Sequence, residues 1–200
     1  MFYPVMLNIE EKFISVVGGG EVALRKVKTL LDYKAVVRVI SPEFSEGFMH
    51  LENKIELIKD YYKEELIKNS FIVIAATSSK QVNLSIFHYC RQNNILCSMA
   101  DDAKESDFIV PSSLRRGSLV IAVSTEGKSP ALSSKIKKEI EEKYSEEYEL
   151  YVEVLGDIRH LLLEKCSDAA LRKKLLKEVL NLSLEELIKR RDELEVCSRF

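Results

Sequence analysis

The sequence predicts an α/β protein in which a parallel sheet is covered by helices and followed by a helical tail. Short apolar runs alternate with segments of helical periodicity as far as Met99. The first of these runs, Phe13-Ile14-Ser15-Val16-Val17, stops abruptly at Gly18-Gly19-Gly20. Beyond Ser129-Pro130 the composition shifts to Lys, Glu and Leu with almost no β signal.

Taken in order, the run at 13–17 reads as a buried parallel strand entering a tight turn. A helix follows over 21–33, with Val22, Ala23, Val27, Leu30 and Leu31 at helical spacing and Arg25, Lys26 and Lys28 elsewhere on its surface. A second strand over 35–40 ends in Ser41-Pro42, which completes one βαβ unit. Strands at 55–58 and 71–76, a helix over 81–91 and a fifth strand at 95–99 continue the pattern. Two further strands, at 108–110 and 119–123, flank the turn-like Arg115-Arg116-Gly117 and leave the parallel core. In the tail, Ser129 can cap a helix whose first position is Pro130, and Ser183 with Glu186 has capping-box spacing before a short helix. The domain boundaries are set near Ser112 and Glu146, dividing the chain into 1–112, 113–146 and 147–200.

Composition narrows the functional classes. The 200 residues are 46% hydrophobic and 31% charged, which excludes a disordered chain and leaves room for a sizeable core. A net charge of -2 gives no overall basic field for nucleic acid or an acidic membrane surface. Cys90, Cys97, Cys166 and Cys197 lack zinc or redox spacing, and His50, His88 and His160 show neither triad nor metal spacing, so no resident metal is expected. The start of the sequence has no basic, apolar leader pattern, and no stretch reaches about 18 uninterrupted apolar residues. A cytoplasmic protein with reduced thiols is expected.

Gly18-x-Gly20-x-x-Ala23 is the dinucleotide fingerprint in its alanine form, and it sits where that motif belongs, between a strand and a helix. Gly18 takes the tight turn, Gly20 lets a pyrophosphate approach, and Ala23 lets helix and strand pack closely. The helix-start N–H groups near Glu21 and Val22 face the anionic phosphates. The second strand lacks an immediate terminal acid; Ser41 can bond a ribose, and Glu43 pointing inward would disfavour a 2′-phosphate, favouring NAD over NADP. Glu43 reads equally well as a solvated loop acid. Thr77 and Asn83, after the strand that ends Ala75-Ala76, are further candidates at the carboxyl edge where open sheets bind ligands, Thr77 as a cofactor-binding residue.

The fifth strand delivers Ala100-Asp101-Asp102 to that same edge. A dehydrogenase must dispose of a proton as well as a hydride, and an aspartate there can serve as the base; turn capping is the alternative reading of either acid. No Gly-x-Ser-x-Gly elbow and no Walker lysine motif supports a hydrolase or a nucleoside triphosphatase.

These segments together resemble the precorrin-2 dehydrogenase and sirohydrochlorin ferrochelatase proteins, the family that includes the amino-terminal half of fused sirohaem synthases. The resemblance runs in family order through Tyr3-Pro4-Val5-Met6-Leu7, Val16-Val17-Gly18-Gly19-Gly20-Glu21-Val22-Ala23 with Arg25-Lys26, Ala75-Ala76-Thr77 and Asp101. It continues through Phe108-Ile109-Val110-Pro111-Ser112, Ala122-Val123-Ser124 and Gly127-Lys128-Ser129-Pro130-Ala131. The helical tail matches in length and character only.

The resemblance implies a Rossmann-type NAD-binding domain, a central dimerisation segment and a small helical C-terminal domain in an intertwined homodimer. It implies NAD-dependent oxidation of precorrin-2 to sirohydrochlorin and, in bifunctional members, insertion of ferrous iron to give sirohaem. The family's functional acid falls on Asp101. Its cofactor contacts fall on Gly18, Gly19, Gly20, Glu21 and Val22 and on the loop with Ser41, Pro42 and Glu43. The substrate's many carboxylates call for a local basic wall, with Arg115, Arg116, Lys128 and Lys135 as candidates and the adjacent Arg115-Arg116 pair the strongest. The competing reading is a non-catalytic module that senses a dinucleotide or carries a tetrapyrrole.

Overall fold

In the computed structural model, which describes residues 1–102 and 104–196, the apolar runs become β1 (Phe13–Val17), β2 (Val36–Ile40), β3 (Glu56–Ile58), β4 (Ile72–Ala75) and β5 (Leu96–Met99). All neighbours in this sheet are parallel, in the order β3-β2-β1-β4-β5. Period-two alternation sends successive side chains to opposite faces. Ile14, Val16, Val37, Val39, Ile72 and Ile74 pack beneath α1 (Glu21–Asp32), while Val17, Ile40, Val73, Ala75, Cys97 and Met99 pack with Ile86, Phe87 and Cys90 of α3 (Lys80–Gln92). A short helix α2 (Glu64–Ile67) and a 3₁₀ segment, Glu46–Leu51, add Ile67 and Phe48 to these cores. Neither segment carries enough periodicity to stand out in the sequence.

Register fixes what the sheet presents at its carboxyl edge. Val17 pairs with both Ile40 and Ala75, and Ala75 pairs with Met99, so β1, β2, β4 and β5 end level. The glycine turn, the 41–45 loop, Thr77 and Asp101 therefore all leave the same edge. β5 is an outer strand, and the following segment returns alongside it. Asp107 accepts from the Cys97 N–H through Oδ2 (2.9 Å) and donates its own N–H to the Cys97 carbonyl (2.9 Å), and the Ser106 hydroxyl accepts from the Met99 N–H (2.9 Å).

The chain divides after Val110 into two compact units. The second opens with an antiparallel hairpin, β6 (Ser112–Arg116) and β7 (Leu119–Val123). This corrects the expected strand at 108–110. Phe108 is a loop side chain packed on the sheet core, and the strand begins only after Pro111, which has no N–H to donate. Arg115 and Arg116 are accordingly strand residues, and the turn is Gly117-Ser118, with Gly117 at φ +55° where two-residue hairpins favour glycine.

Among the described residues four α-helices follow: α4 (Pro130–Lys143), α5 (Tyr148–Lys165), α6 (Ala169–Glu178) and α7 (Leu184–Val196). Ser129 caps α4 through its hydroxyl, with Pro130 in the first turn, and Ser183 and Glu186 exchange both capping-box bonds at α7. Val154, Ile158 and Leu162 form one stripe of α5 and meet Leu187 and Leu194 of α7 in a third core. Cys90, Cys97 and Cys166 are buried free thiols, as expected; Cys197 lies outside the described residues. A hydrogen bond with Cys90, together with burial, pushes the Cys97 thiol pKa far up. No helix among the described residues is long and apolar enough to cross a membrane.

Candidate active site

The glycine turn is built by contact from two sides. Gly18 lies at φ +127°, and a Cβ there would stand 2.3 Å from the Ala76 carbonyl oxygen, so only glycine lets the turn close against the end of β4. Its N–H donates to the Ile40 carbonyl (2.9 Å). A Cβ on Gly19 would stand 2.0 Å from the Glu43 carbonyl oxygen and 2.7 Å from the Ser41 hydroxyl, and the Ser45 N–H donates to the Gly19 carbonyl (2.8 Å). The structure thus brings Gly18, Gly19, Ser41, Glu43 and Thr77 together around one turn. Ser41 is buried, whereas Pro42 and Glu43 are exposed.

Gly20 differs from its neighbours: a Cβ there would meet nothing within 4 Å. It is the N-cap of α1, with no side-chain cap, so the helix start at Glu21 and Val22 offers its first N–H groups to whatever fills the open space. The charge of an anionic pyrophosphate suits the unpaired N–H groups of such a helix start. Ser45, which the sequence reading did not single out, has a buried hydroxyl with no partner among the described residues, one further polar atom in the loop beside the turn.

Asp101 follows β5 and is exposed in the single chain. Its Oδ1 accepts a hydrogen bond from Asn83 Nδ2 at 3.0 Å. Asn83 is fully buried and is itself fixed by Thr77, whose N–H (3.2 Å) and hydroxyl (2.7 Å) both donate to Oδ1 of the amide. Thr77, Asn83 and Asp101 are therefore one network joining the ends of β4 and β5. The pairing was hidden in the sequence because these residues come into reach only through the registered pairing of the two strands. Asp102 does something else: its Oδ1 accepts from the N–H groups of Lys104 (2.9 Å) and Glu105 (3.4 Å), which is turn capping.

In the second unit, Arg115 is exposed and donates Nε–H to the Gly117 carbonyl (3.0 Å). Arg116 is mostly covered and tied to the end of α4, donating to the Tyr144 carbonyl (3.2 Å) and pairing with Glu146 (3.1 Å). Lys128 is exposed in the turn before α4.

A 3-2-1-4-5 parallel sheet with a glycine turn opening its first helix, and an acid held at the same edge, defines a dinucleotide-binding protein of the Rossmann class. Comparison with known proteins is more specific. A family model described as putative NAD(P)-binding matches residues 5–112, more than half of the chain, and one described as sirohaem biosynthesis protein, central, matches residues 116–143. The chain belongs to this putative NAD(P)-binding family, and its second unit carries the match to the sirohaem biosynthesis model.

Siroheme synthase of Pseudoalteromonas translucida (strain TAC 125) is 36% identical over 142 residues, which are 70% of this chain and 30% of that protein. Siroheme synthase 1 of Yersinia pestis (strain Pestoides F) is 33% identical over 160 residues, 79% of this chain and 34% of that protein. This chain spans about a third of the length of these curated relatives. The solved structure of SirC, precorrin-2 dehydrogenase, superposes with a TM-score of 0.77 at 28% identity, covering 96% of this chain and 100% of that one.

Proposed function

We propose that this chain catalyses the NAD-dependent oxidation of precorrin-2 to sirohydrochlorin, with Asp101 as the residue that manages the proton. The observation that carries the reading is the Asp101 carboxylate, held by Asn83 on the same sheet edge as the open cradle at Gly20. The SirC superposition over the whole of that chain supports it, because that structure is named for this reaction.

When bound, NAD supplies the acceptor for the hydride. The chain supplies the rest. Gly18, Gly19, Gly20, Glu21 and Val22 receive the pyrophosphate, and Ser41, Pro42 and Glu43 border the adenosine side, the acid disfavouring a 2′-phosphate. Thr77 lines the approach to Asp101. Dehydrogenation removes one hydride and one proton from the substrate, and the Asp101 carboxylate accepts the proton as the carbon–hydrogen bond breaks. Holding the reacting groups in place is worth about 7–11 kcal/mol in well-oriented systems, so positioning carries much of the rate. Arg115 and Lys128, both exposed, take carboxylates of the macrocycle; Arg116 orders the strand that presents Arg115. Residues 113–146 serve as the dimerisation segment of a cytoplasmic homodimer, and residues 147–200 as its helical domain.

The test is conversion of precorrin-2 in the presence of NAD, followed by the absorbance of sirohydrochlorin. Turnover by the wild type and its loss in Asp101→Asn, with NAD affinity retained, are the expected results. NAD binding without turnover overturns the reading and leaves a non-catalytic module. The siroheme synthase name of the matched relatives favours a second activity, insertion of ferrous iron with release of two ring protons, in which Asp101 again receives a proton. Sirohydrochlorin incubated with ferrous iron and the protein tests it: metal insertion no faster than in buffer rejects that activity.

A further inference from the structure

We propose that Asn83 is the positioning residue for Asp101, acting as a buried bracket that fixes one carboxylate oxygen and leaves the other for the substrate. The inference rests on the reading of Asp101 given under Proposed function and extends it to a residue that does not touch substrate.

The argument starts from the hydrogen-bonding capacity of an amide, two acceptor sites on oxygen and two donor protons on nitrogen. All four are used. Oδ1 accepts from the Thr77 N–H (3.2 Å) and from the Thr77 hydroxyl (2.7 Å), and Nδ2 donates to the Thr77 carbonyl (3.2 Å) and to Asp101 Oδ1 (3.0 Å). The orientation of the amide is not arbitrary. A backbone N–H can only donate, so the Thr77 N–H requires the oxygen on its side and turns the NH₂ group toward Asp101. The Thr77 hydroxyl accepts in turn from the Ser79 N–H (3.2 Å), and of the two acceptors within reach of its single proton, Asn83 Oδ1 (2.7 Å) is closer than the Ser79 carbonyl (3.1 Å).

Asn83 is fully buried in the second turn of α3, and Ser79 caps that helix, so the bracket stands on a rigid element with no freedom to follow the acid. Asp101, by contrast, sits just beyond β5 on exposed chain. Among the described residues Oδ2 of Asp101 accepts no hydrogen bond. One oxygen is therefore anchored and the other is presented. No other side chain reproduces the set: aspartate lacks both donors, leucine lacks all four functions, and glutamine is one methylene too long.

The test measures kcat, KM and NAD affinity for Asn83→Asp, together with thermal stability of the exchange variant Asn83→Asp/Asp101→Asn. Asn83→Asp retains the acceptors for Thr77 but loses the donor and sets two carboxylates face to face. The expected result is a fall in kcat of about 100-fold, the scale of an ångström of misplacement, with NAD affinity within about twofold of wild type. The exchange variant restores a donor–acceptor pair with reversed direction, so its melting temperature recovers toward wild type while its activity stays lost. That coupling is what a residue bracing only the Thr77 loop would not produce.

Wild-type kcat in Asn83→Asp, or stability changes that simply add in the exchange variant, overturns the proposal. If Asn83→Asp does not accumulate folded, Asn83→Ser is assayed in its place, and retention of wild-type kcat there overturns it equally. A wild type that itself turns over no precorrin-2 rejects the reading of the reaction instead, and recovery or additivity of stability in the exchange variant still decides whether the bracket exists.

Discussion

Gly18 and Gly20 belong to one motif, yet substituting them has opposite consequences. Gly18→Ala would drive a Cβ into the Ala76 carbonyl at a φ that side chains rarely adopt, costing on the order of 1–3 kcal/mol from the backbone conformation alone. A marked drop in melting temperature is the expected outcome. Gly20→Ala meets no atom within 4 Å and keeps an extended N-cap, so its stability stays within about 1 kcal/mol of wild type. Its Cβ occupies the cradle, however, and NAD affinity measured by titration calorimetry is expected to fall about tenfold or more, since overpacking costs about 1–3 kcal/mol. Both glycines were legible because a fixed spacing after an apolar strand has one well-understood use. An acid at the carboxyl edge was legible from the strand that delivers Ala100-Asp101-Asp102, but the choice of Asp101 over Asp102 came from the family resemblance. The link of Asp101 to Asn83 was not legible, because a contact across two strands depends on register, which no local pattern encodes.

Helix ends were readable where strand starts were not. Ser129 and Ser183 were placed as caps from their spacing, and both hydroxyls accept the bonds expected of them. Ser129→Ala is expected to cost about 1 kcal/mol, read as a lower denaturant midpoint. At α7 the Ser183 N–H, donating to Glu186, holds that carboxyl pKa below the usual glutamate value. A depressed folded-state value means the capping box contributes fully above the ordinary glutamate range and loses its contribution as pH falls through the folded value. The helical signal of α7 is therefore expected to fray on acidification in the wild type and to lose that pH dependence in Glu186→Gln, followed by amide exchange of its first turn. β6 escaped notice because Ser112, Ser113, Arg115 and Arg116 are polar and only Leu114 is buried, whereas the more apolar run before it serves as loop packing. A strand held by hairpin pairing needs little apolar content of its own.

At the scale of the molecule, the parallel sheet followed from alternation, but its order did not: β3 and β4 are consecutive in the chain yet lie apart, because the chain crosses back to set β4 beside β1. Burial on both faces is what made β4 a continuous apolar run and β1 one broken only by Ser15, whose buried hydroxyl pairs with that of Ser70. Assembly was not legible in this way, because an apolar side chain covered by a second subunit looks the same in sequence as one covered by its own chain. The proposed homodimer is checked by sedimentation, which is expected to return twice the 22.9 kDa of one chain; a single-chain mass rejects it. The margin formed by β5 bears on how such copies can meet. Its outward donors and acceptors at Cys97 and Met99 are already engaged by Asp107 and Ser106, so an incoming strand finds no open ladder there. On that flank the protein is guarded against β-sheet aggregation, and molecules crowded together during synthesis cannot stitch themselves into fibrils through it.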